Sequence, residues 1–258
     1  MRKILRIESL DCGYKNIIVK DISFTGEEGD IICILGSNGS GKSTLIKTLA
    51  GLLVPHKGQV MVNNENIRSW SWQKRAKNIA YIPQYFNSTF QFTGLDIVVM
   101  GRTSYLRLGL APKESDYEIA KKAMERLNIS HLQDRIYSSM SGGERQLVKI
   151  AQALAQEAKI LLMDEPTNNL DFGNQITMLN YLKELSEMGI LIIMATHFPD
   201  QALSYGTKAL LVSQGEGKLV INPRENIVEE DLEKLYDLQI KILDYHINNE
   251  NRKVCVPF

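Results

Sequence analysis

Three features of this sequence predict an α/β fold built on a mainly parallel sheet. First, the short apolar runs IICIL (31–35), ILLM (160–163) and ILIIMAT (190–196) are each bounded by polar residues or glycine. Strands buried on both faces read this way, and their length and β-branched content favour strand over helix. Second, helical patterns lie between the runs. STLIKTLAGLL (43–53) spaces Leu45, Ile46, Leu49 and Leu52, and ERQLVKIAQALAQEAK (144–159) sets Leu147, Ile150, Ala151 and Leu154 on one face. Third, a glycine loop, GSNGSGKST (36–44), directly follows the first run. Strand and helix in alternation give a parallel sheet with helices on its faces.

The remaining segments fit around that sheet. LRIESLDCGY, KDISFT and GQVMVNNENI alternate or are rich in β-formers, which predicts an antiparallel section near the N-terminus. Residues 88–158 are mostly helical in pattern, with DYEIAKKAMERLNI (116–129) the clearest helix, and lie between two strand-rich regions. They are therefore expected to form a helical insert. The expected division is a core of 1–87 and 159–221, a helical subdomain of 88–158, and a C-terminal α/β extension of 222–258. In the extension a helix over about 228–237 precedes two β-like pieces, ILDYHI and KVCVPF, around the turn former NNEN. Packing of this end is favoured over a regulatory contact.

Composition narrows the classes. The 258 residues carry 30 Lys+Arg against 30 Asp+Glu, and 44% are hydrophobic, as suits a packed core. Zero net charge argues against nucleic acid as a partner, because that binding rests on neutralised phosphates. Cys12, Cys33 and Cys255 have no metal-type spacing and read as reduced thiols. The charged start MRKILRIESLDCGY has no cleavable apolar core, and no run approaches the ~18 apolar residues of a membrane span.

The glycine loop carries the most chemistry. Gly36, four residues, Gly41, Lys42 and Ser43 fit G-x-x-x-x-G-K-[ST]. Glycines let consecutive N–H groups turn inward and the backbone approach a phosphate, and the helix that follows adds its positive end. The loop Gly36, Ser37, Asn38, Gly39, Ser40, Gly41 is thus a phosphate cradle. Lys42 is placed for the β- and γ-phosphates, Ser43 for Mg²⁺ and Thr44 for the α-phosphate. The alternative, a glycine turn with an incidental lysine, does not account for the strand before it and the helix after it. ILLMDE (160–165) supplies a second half: a buried strand ending in Asp164, a Mg²⁺ ligand, and Glu165, a general base toward water. The fold expected is α/β, a P-loop NTPase core with a mainly parallel sheet, an N-terminal antiparallel β section and an inserted helical subdomain.

Over nearly its whole length the chain resembles the ATP-binding cassette (ABC) ATPases. MSGGERQ (140–146) is similar to the family signature LSGGQ and its LSGGERQ variant, with Met140 for leucine and Glu144 for glutamine. Ser141, Gly142, Gly143 and Glu144 begin a helix, so they read either as a plain cap or as a second phosphate cradle. The resemblance implies the second: a head-to-tail homodimer in which the signature of one subunit covers the ATP held by the other. It further implies that Gln84 of YIPQ touches Mg²⁺ or water and connects to the insert, and that Asn169, Leu170 and Asp171 of EPTNNLD cross the dimer. His197 of ATH is implied near the γ-phosphate, and Tyr14 of CGY stacked on adenine.

The implied activity is ATP hydrolysis with ATP and Mg²⁺, coupled to transport. LDIVVMGR (95–102), EPTNNLD and ENIVEEDLEKLYDLQIKIL resemble ATPases of bacterial importers for iron–siderophore complexes, haem and cobalamin. Read locally, VVMGR and LEKLY are ordinary packing. The implied partners are an integral-membrane permease dimer and, indirectly, an external substrate-binding protein, with this subunit on the cytoplasmic face of the membrane. Molybdate or tungstate importers share the pattern and stay open. A soluble ABC ATPase acting on ribosomes or DNA is the rival class. It is disfavoured by one copy of each motif, no charged linker, and about 100 residues without heptads between loop and signature.

Overall fold

A computed structural model describes residues 2–84, 90–107, 109–247 and 250–258, and the side chains of all these but 247 and 250. In chain order the N-terminal half contains β1 (Lys3–Gly13), β2 (Ile17–Glu27), β3 (Ile31–Leu35), α1 (Lys42–Leu49), β4 (Lys57–Val62), β5 (Glu65–Asn66), α2 (Trp72–Asn78) and β6 (Ile79–Ile82). Then come α3 (Gly94–Val99), α4 (Glu114–Arg126), α5 (Gly142–Ala155), β7 (Ile160–Asp164), α6 (Phe172–Glu187) and β8 (Leu191–Thr196). The chain ends with α7 (Pro199–Tyr205), β9 (Lys208–Ser213), β10 (Glu216–Ile221), α8 (Pro223–Asn226), α9 (Glu229–Tyr236), β11 (Ile240–Ile247) and β12 (Glu250–Pro257).

The central sheet has the order β10-β9-β3-β8-β7-β6. Its strands run parallel except β10, which pairs antiparallel with β9 at one edge. The apolar runs become strands because both of their faces are buried. Ile31, Cys33 and Leu35 feed one core cluster, and Ile32 and Ile34 the other. β7 and β8 divide in the same way, Leu161, Met163, Ile192 and Met194 against Ile160, Leu162, Leu191 and Ile193. With a period of two, one strand serves both cores. The first cluster holds α3, α4 and α5 together with α6 and α7. The second lies under the antiparallel sheet β2-β1-β4-β5 and α1. Leu45, Ile46 and Leu49 of α1 are at most 1% exposed, each burial stabilising by roughly 1.5–3 kcal/mol. Leu45→Ala would cost about 2–5 kcal/mol.

Helix boundaries differ from the sequence-based expectation at three places. The first helix stops at Leu49, not 53, because Gly51 turns left-handed at φ 71°. Leu52 is accordingly off the helix and 59% exposed. α5 starts at Gly142, earlier than expected, because Ser141 caps it. It ends at Ala155 as Glu157 adopts φ 57°, and its most buried residues are Val148, Ile150, Ala151 and Ala155, with Leu147 and Leu154 only half buried. Helix α4 runs over 114–126, and Asn128 ends it with φ 56°. Helix α6 and the β9–β10 hairpin have no counterpart in the expectation.

Residues 100–102 explain the MGR sequence as packing. A Cβ at Gly101 would lie 2.3 Å from the Gln152 carbonyl oxygen, so only glycine lets this turn rest on α5. Arg102 is buried and reaches Asp116 at 3.2 Å, Glu157 at 2.6 Å and the Ala155 carbonyl at 2.7 Å. It thereby pins the start of α4 to the end of α5. At the C-terminus, carboxylates block outward-facing amides of the β11–β12 hairpin: Glu233 accepts from Ile240 N–H, Glu229 from Ile242 N–H and Asp200 from Cys255 N–H. Capping an edge in this way prevents further strand pairing. Among the described residues no helix is long and apolar enough to cross a membrane.

Candidate active site

Strand register brings the candidate residues to one end of the central sheet. Leu35 lies beside Thr196, and Asp164 beside Ala195. The residues that follow these three strands, Gly36, Glu165 and His197, therefore emerge together, at the carboxyl ends where open parallel sheets bind ligands.

The loop after β3 is tightly constrained. A Cβ at Gly36 would lie 2.6 Å from the Val212 carbonyl oxygen, and one at Gly41 would lie 2.4 Å from Val19. Gly41 also sits at φ 102°, a region L side chains avoid. Lys42, 4% exposed, folds back and donates to the carbonyls of Gly36 (2.8 Å) and Ser37 (2.9 Å). Its Nζ is 4.0 Å from Glu165 Oε1. Burial lowers its pKa, while Glu165 and then Asp164 push it back up. Thr44 is buried, and its carbonyl accepts from Thr48 Oγ1 at 2.8 Å. The buried Ser40 Oγ has no partner among the described residues.

Ser43 donates to Asp164 Oδ1 at 2.8 Å. Burial raises the Asp164 pKa, and the Ser43 hydrogen bond works against that rise. A hydroxyl and a carboxylate oxygen converging beside a phosphate cradle suit a hard cation such as Mg²⁺, which binds few carboxylates plus substrate phosphates. Gln84 lies on the same side but hands its amide to Glu165 Oε2 at 2.7 Å.

Glu165 holds an unusual backbone, φ 48°, which costs an L-residue roughly 1 kcal/mol. Its N–H donates to the Ala195 carbonyl at 3.1 Å, so the chain turns sharply off β7. Its Oε2 accepts from Asn168 Nδ2 at 3.1 Å as well as from Gln84. Asn168 is a site residue that sequence reasoning missed. The available signal was an amide three residues after Glu165, across Pro166, the spacing of a turn. A relay fixes the two flanking loops: Thr196 Oγ1 donates to Gln201 Oε1 (2.8 Å), and Gln201 Nε2 donates to Thr167 Oγ1 (2.9 Å). His197 follows β8, its ring 4.0 Å from that of Phe198, and its buried Nδ1 has no partner among the described residues.

The other predicted residues form a separate group. Ser141 caps α5: its Oγ accepts from Glu144 N–H (3.3 Å), and its N–H donates to Glu144 Oε2 (2.7 Å). Glu144 Oε1 is held by Arg135 at 2.6 Å, so this carboxylate is committed to the cap. Gly142 faces the Asn169 carbonyl, and a Cβ at Gly143 would lie 2.9 Å from the Asn174 side chain. Asp171 caps α6, accepting from Asn174 N–H (2.9 Å) and Nδ2 (2.6 Å). The turn at 141–143 thus lies beside 169–174 at the exposed starts of α5 and α6. Tyr14 is 58% exposed, with Lys47 Nζ 3.5 Å from its hydroxyl.

Known proteins resemble this chain over most of its length. The family model for ABC transporters matches residues 19–168. A Haemophilus influenzae protein named only as an uncharacterized ABC transporter ATP-binding protein is 41% identical over 251 residues, covering 97% of this chain and 95% of its own. The molybdate import ATP-binding protein MolC of the same organism is 36% identical over 241 residues, 92% of this chain and 90% of the relative. The ferric enterobactin transport ATP-binding protein FepC of Escherichia coli is 35% identical over 244 residues, 93% and 89%. A solved structure described as an inward-facing, metal-chelate type ABC transporter superposes with a TM-score of 0.89 at 33% identity, covering 100% of this chain and 98% of that one. The strand ends, the phosphate loop and these likenesses agree: the chain belongs to the ABC transporter family, as one of its ATP-hydrolysing, ATP-binding subunits.

Proposed function

We propose that this chain is the ATPase subunit of a bacterial ABC importer for a metal chelate, an iron–siderophore complex, haem or cobalamin. It works as a head-to-tail homodimer on the cytoplasmic face of the membrane, attached to a separate permease that receives substrate from an external binding protein. The observation that carries the catalytic part is the carboxylate of Glu165. It stands at the strand end beside Lys42 and Asp164, with one oxygen held by two amides.

In this reading the N–H groups of 36–44 hold the phosphates, and Lys42 leaves its own carbonyls to meet the β- and γ-oxygens. Tyr14 stacks on the base. Ser43 and Asp164, with Gln84, would hold Mg²⁺, which when bound would supply positive charge against the phosphates. Glu165 takes a proton from water as the water oxygen bonds to the γ-phosphorus and the bridging β–γ P–O bond breaks, leaving ADP and phosphate. The orphan Nδ1 of His197 leaves that ring with a hydrogen bond to make, and it orients the γ-phosphate. Ser141, Gly142 and Gly143, with Glu144 bracing their turn, close over the ATP of the partner subunit, and Asp171 crosses at the same interface.

The likeness to the metal-chelate type transporter and to FepC favours a chelate. The likeness to MolC keeps molybdate or tungstate as the second reading. Reconstitution with the permease and binding protein decides between them: ATPase activity should be stimulated by an iron chelate, haem or cobalamin and not by molybdate. Stimulation by the oxyanion alone would overturn the chelate assignment. Recovery of ribosomes or DNA in place of a permease would overturn the importer.

A further inference from the structure

We infer that Asn168 is a positioning residue for hydrolysis: its carboxamide aims the carboxylate of Glu165 and ties that aim to the loop at 169–171. The inference rests on Glu165 being the general base, as proposed above. Three contacts carry it. Asn168 N–H donates to the Glu165 carbonyl at 3.1 Å, closing the turn. Asn168 Oδ1 accepts from Asn169 N–H at 3.0 Å. Asn168 Nδ2 donates to Glu165 Oε2 at 3.1 Å. The acceptor end of the amide is thus occupied by backbone, and its donor end can only face the carboxylate.

Gln84 Nε2 donates to the same oxygen at 2.7 Å. Two amides therefore saturate Oε2 and leave Oε1 to face Lys42, 4.0 Å away. A carboxylate otherwise free to rotate has one oxygen anchored and one presented. The anchor comes from both directions, from Gln84 after β6 and from Asn168 after β7. Asn169 itself is left-handed at φ 60°, and its carbonyl faces Gly142 at the start of α5. Any displacement of that loop moves Asn169 N–H, and with it the amide that holds Glu165. The coupling needs no other side chain.

Isosteric substitution separates this role from turn formation. In Asn168→Asp the side chain still accepts from Asn169 N–H, so a residue needed only for the turn tolerates it. It can no longer donate, and it sets a second negative charge against Glu165. In Asn168→Ala both functions are lost without the charge. Expected at saturating ATP are a kcat lowered about tenfold in Asn168→Ala and about a hundredfold in Asn168→Asp, with KM for ATP within about twofold of the parent. A second readout needs neither nucleotide nor metal. In EDTA, Asn168→Asp should lower the melting temperature when residue 165 is glutamate. It should not do so in the Glu165→Gln background, where the amide introduced at position 165 can donate to the aspartate. Asn168→Asp with parental kcat and no coupling to position 165 in melting would overturn the inference. Normal turnover by Glu165→Gln would instead overturn the general-base reading beneath it.

Discussion

The two groups of candidate residues differ in where their polar atoms are directed. At the strand ends, contacts run inward: Lys42 on its own loop, Ser43 on Asp164, Gln84 and Asn168 on Glu165. At the starts of α5 and α6, Ser141, Gly142 and Asp171 are exposed; Ser141 and Asp171 bond the first turns of their own helices, and Gly142 faces the Asn169 carbonyl. The first group is held by contacts among its own members at the strand ends, which limits how far its side chains can stray. The second caps the helices it begins and leaves Ser141, Gly142 and Asp171 exposed.

Substitutions that act on one group and spare the other test this contrast. Glu165→Gln should have the largest effect, lowering Pi release at saturating ATP by about 10²–10⁴-fold while ATP binding and ATP-driven dimerisation persist. Turnover near the parental rate would break the inward group as a catalytic centre. Next, Arg102→Leu removes the cation joining α4 to α5 and leaves Asp116 with only its hydrogen bond from Lys113 N–H, at a cost of about 3 kcal/mol. Hydrogen exchange should rise in α4 and α5 while nucleotide binding at 36–44 is retained; unchanged exchange would show that the outward group has another support. Ser141→Asp comes third. Aspartate is as good a helix cap as serine, so melting should be unchanged, but a carboxylate would face phosphate across the interface. Turnover should drop more than tenfold, and a parental rate would reduce Ser141 to a cap.

Legibility in the sequence follows the same division. The strands at 31–35, 160–164 and 191–196 were readable because burial on both faces leaves them almost wholly apolar. The phosphate loop was readable because close backbone approach at Gly36 and Gly41 admits no side chain. The β9–β10 hairpin was not, although KALLVS and EGKLVI flank a turn whose Gln214 and Gly215 both take positive φ. Glutamine is an uncommon residue for that conformation and gives no turn signal. Helix ends shifted because Gly51 and Glu157 stop helices by left-handed turns, and only glycine advertises that in sequence. Asn168 is not legible because its partner choice depends on the strained φ of Glu165, which no periodicity encodes. Within the VVMGR and LEKLY stretches, Gly101 rests against α5 and Leu232 and Leu235 are buried, so a local packing role accompanies the resemblance.

The smallest effect expected is one of stability, and it concerns the strain of the inward group. Asp164 is 4% exposed and next to Glu165, and burial raises its pKa above the ordinary 3.8. A carboxyl whose pKa is higher folded than unfolded binds more protons in the folded state. The stability that protonation supplies is present at low pH and is lost as pH rises through the folded pKa. At neutral pH the ionised Asp164 is therefore a cost, one that a bound cation would relieve. Asp164→Asn keeps the acceptor for Ser43 and removes the charge. Without nucleotide or metal, this variant should melt about 2 °C above the parent at pH 7. The gap should close as pH falls toward and below 3.8, where the aspartate is neutral in both states. A gap that persists in acid would assign the gain to packing, and no gap at pH 7 would mean that Ser43 and Lys42 already neutralise the site.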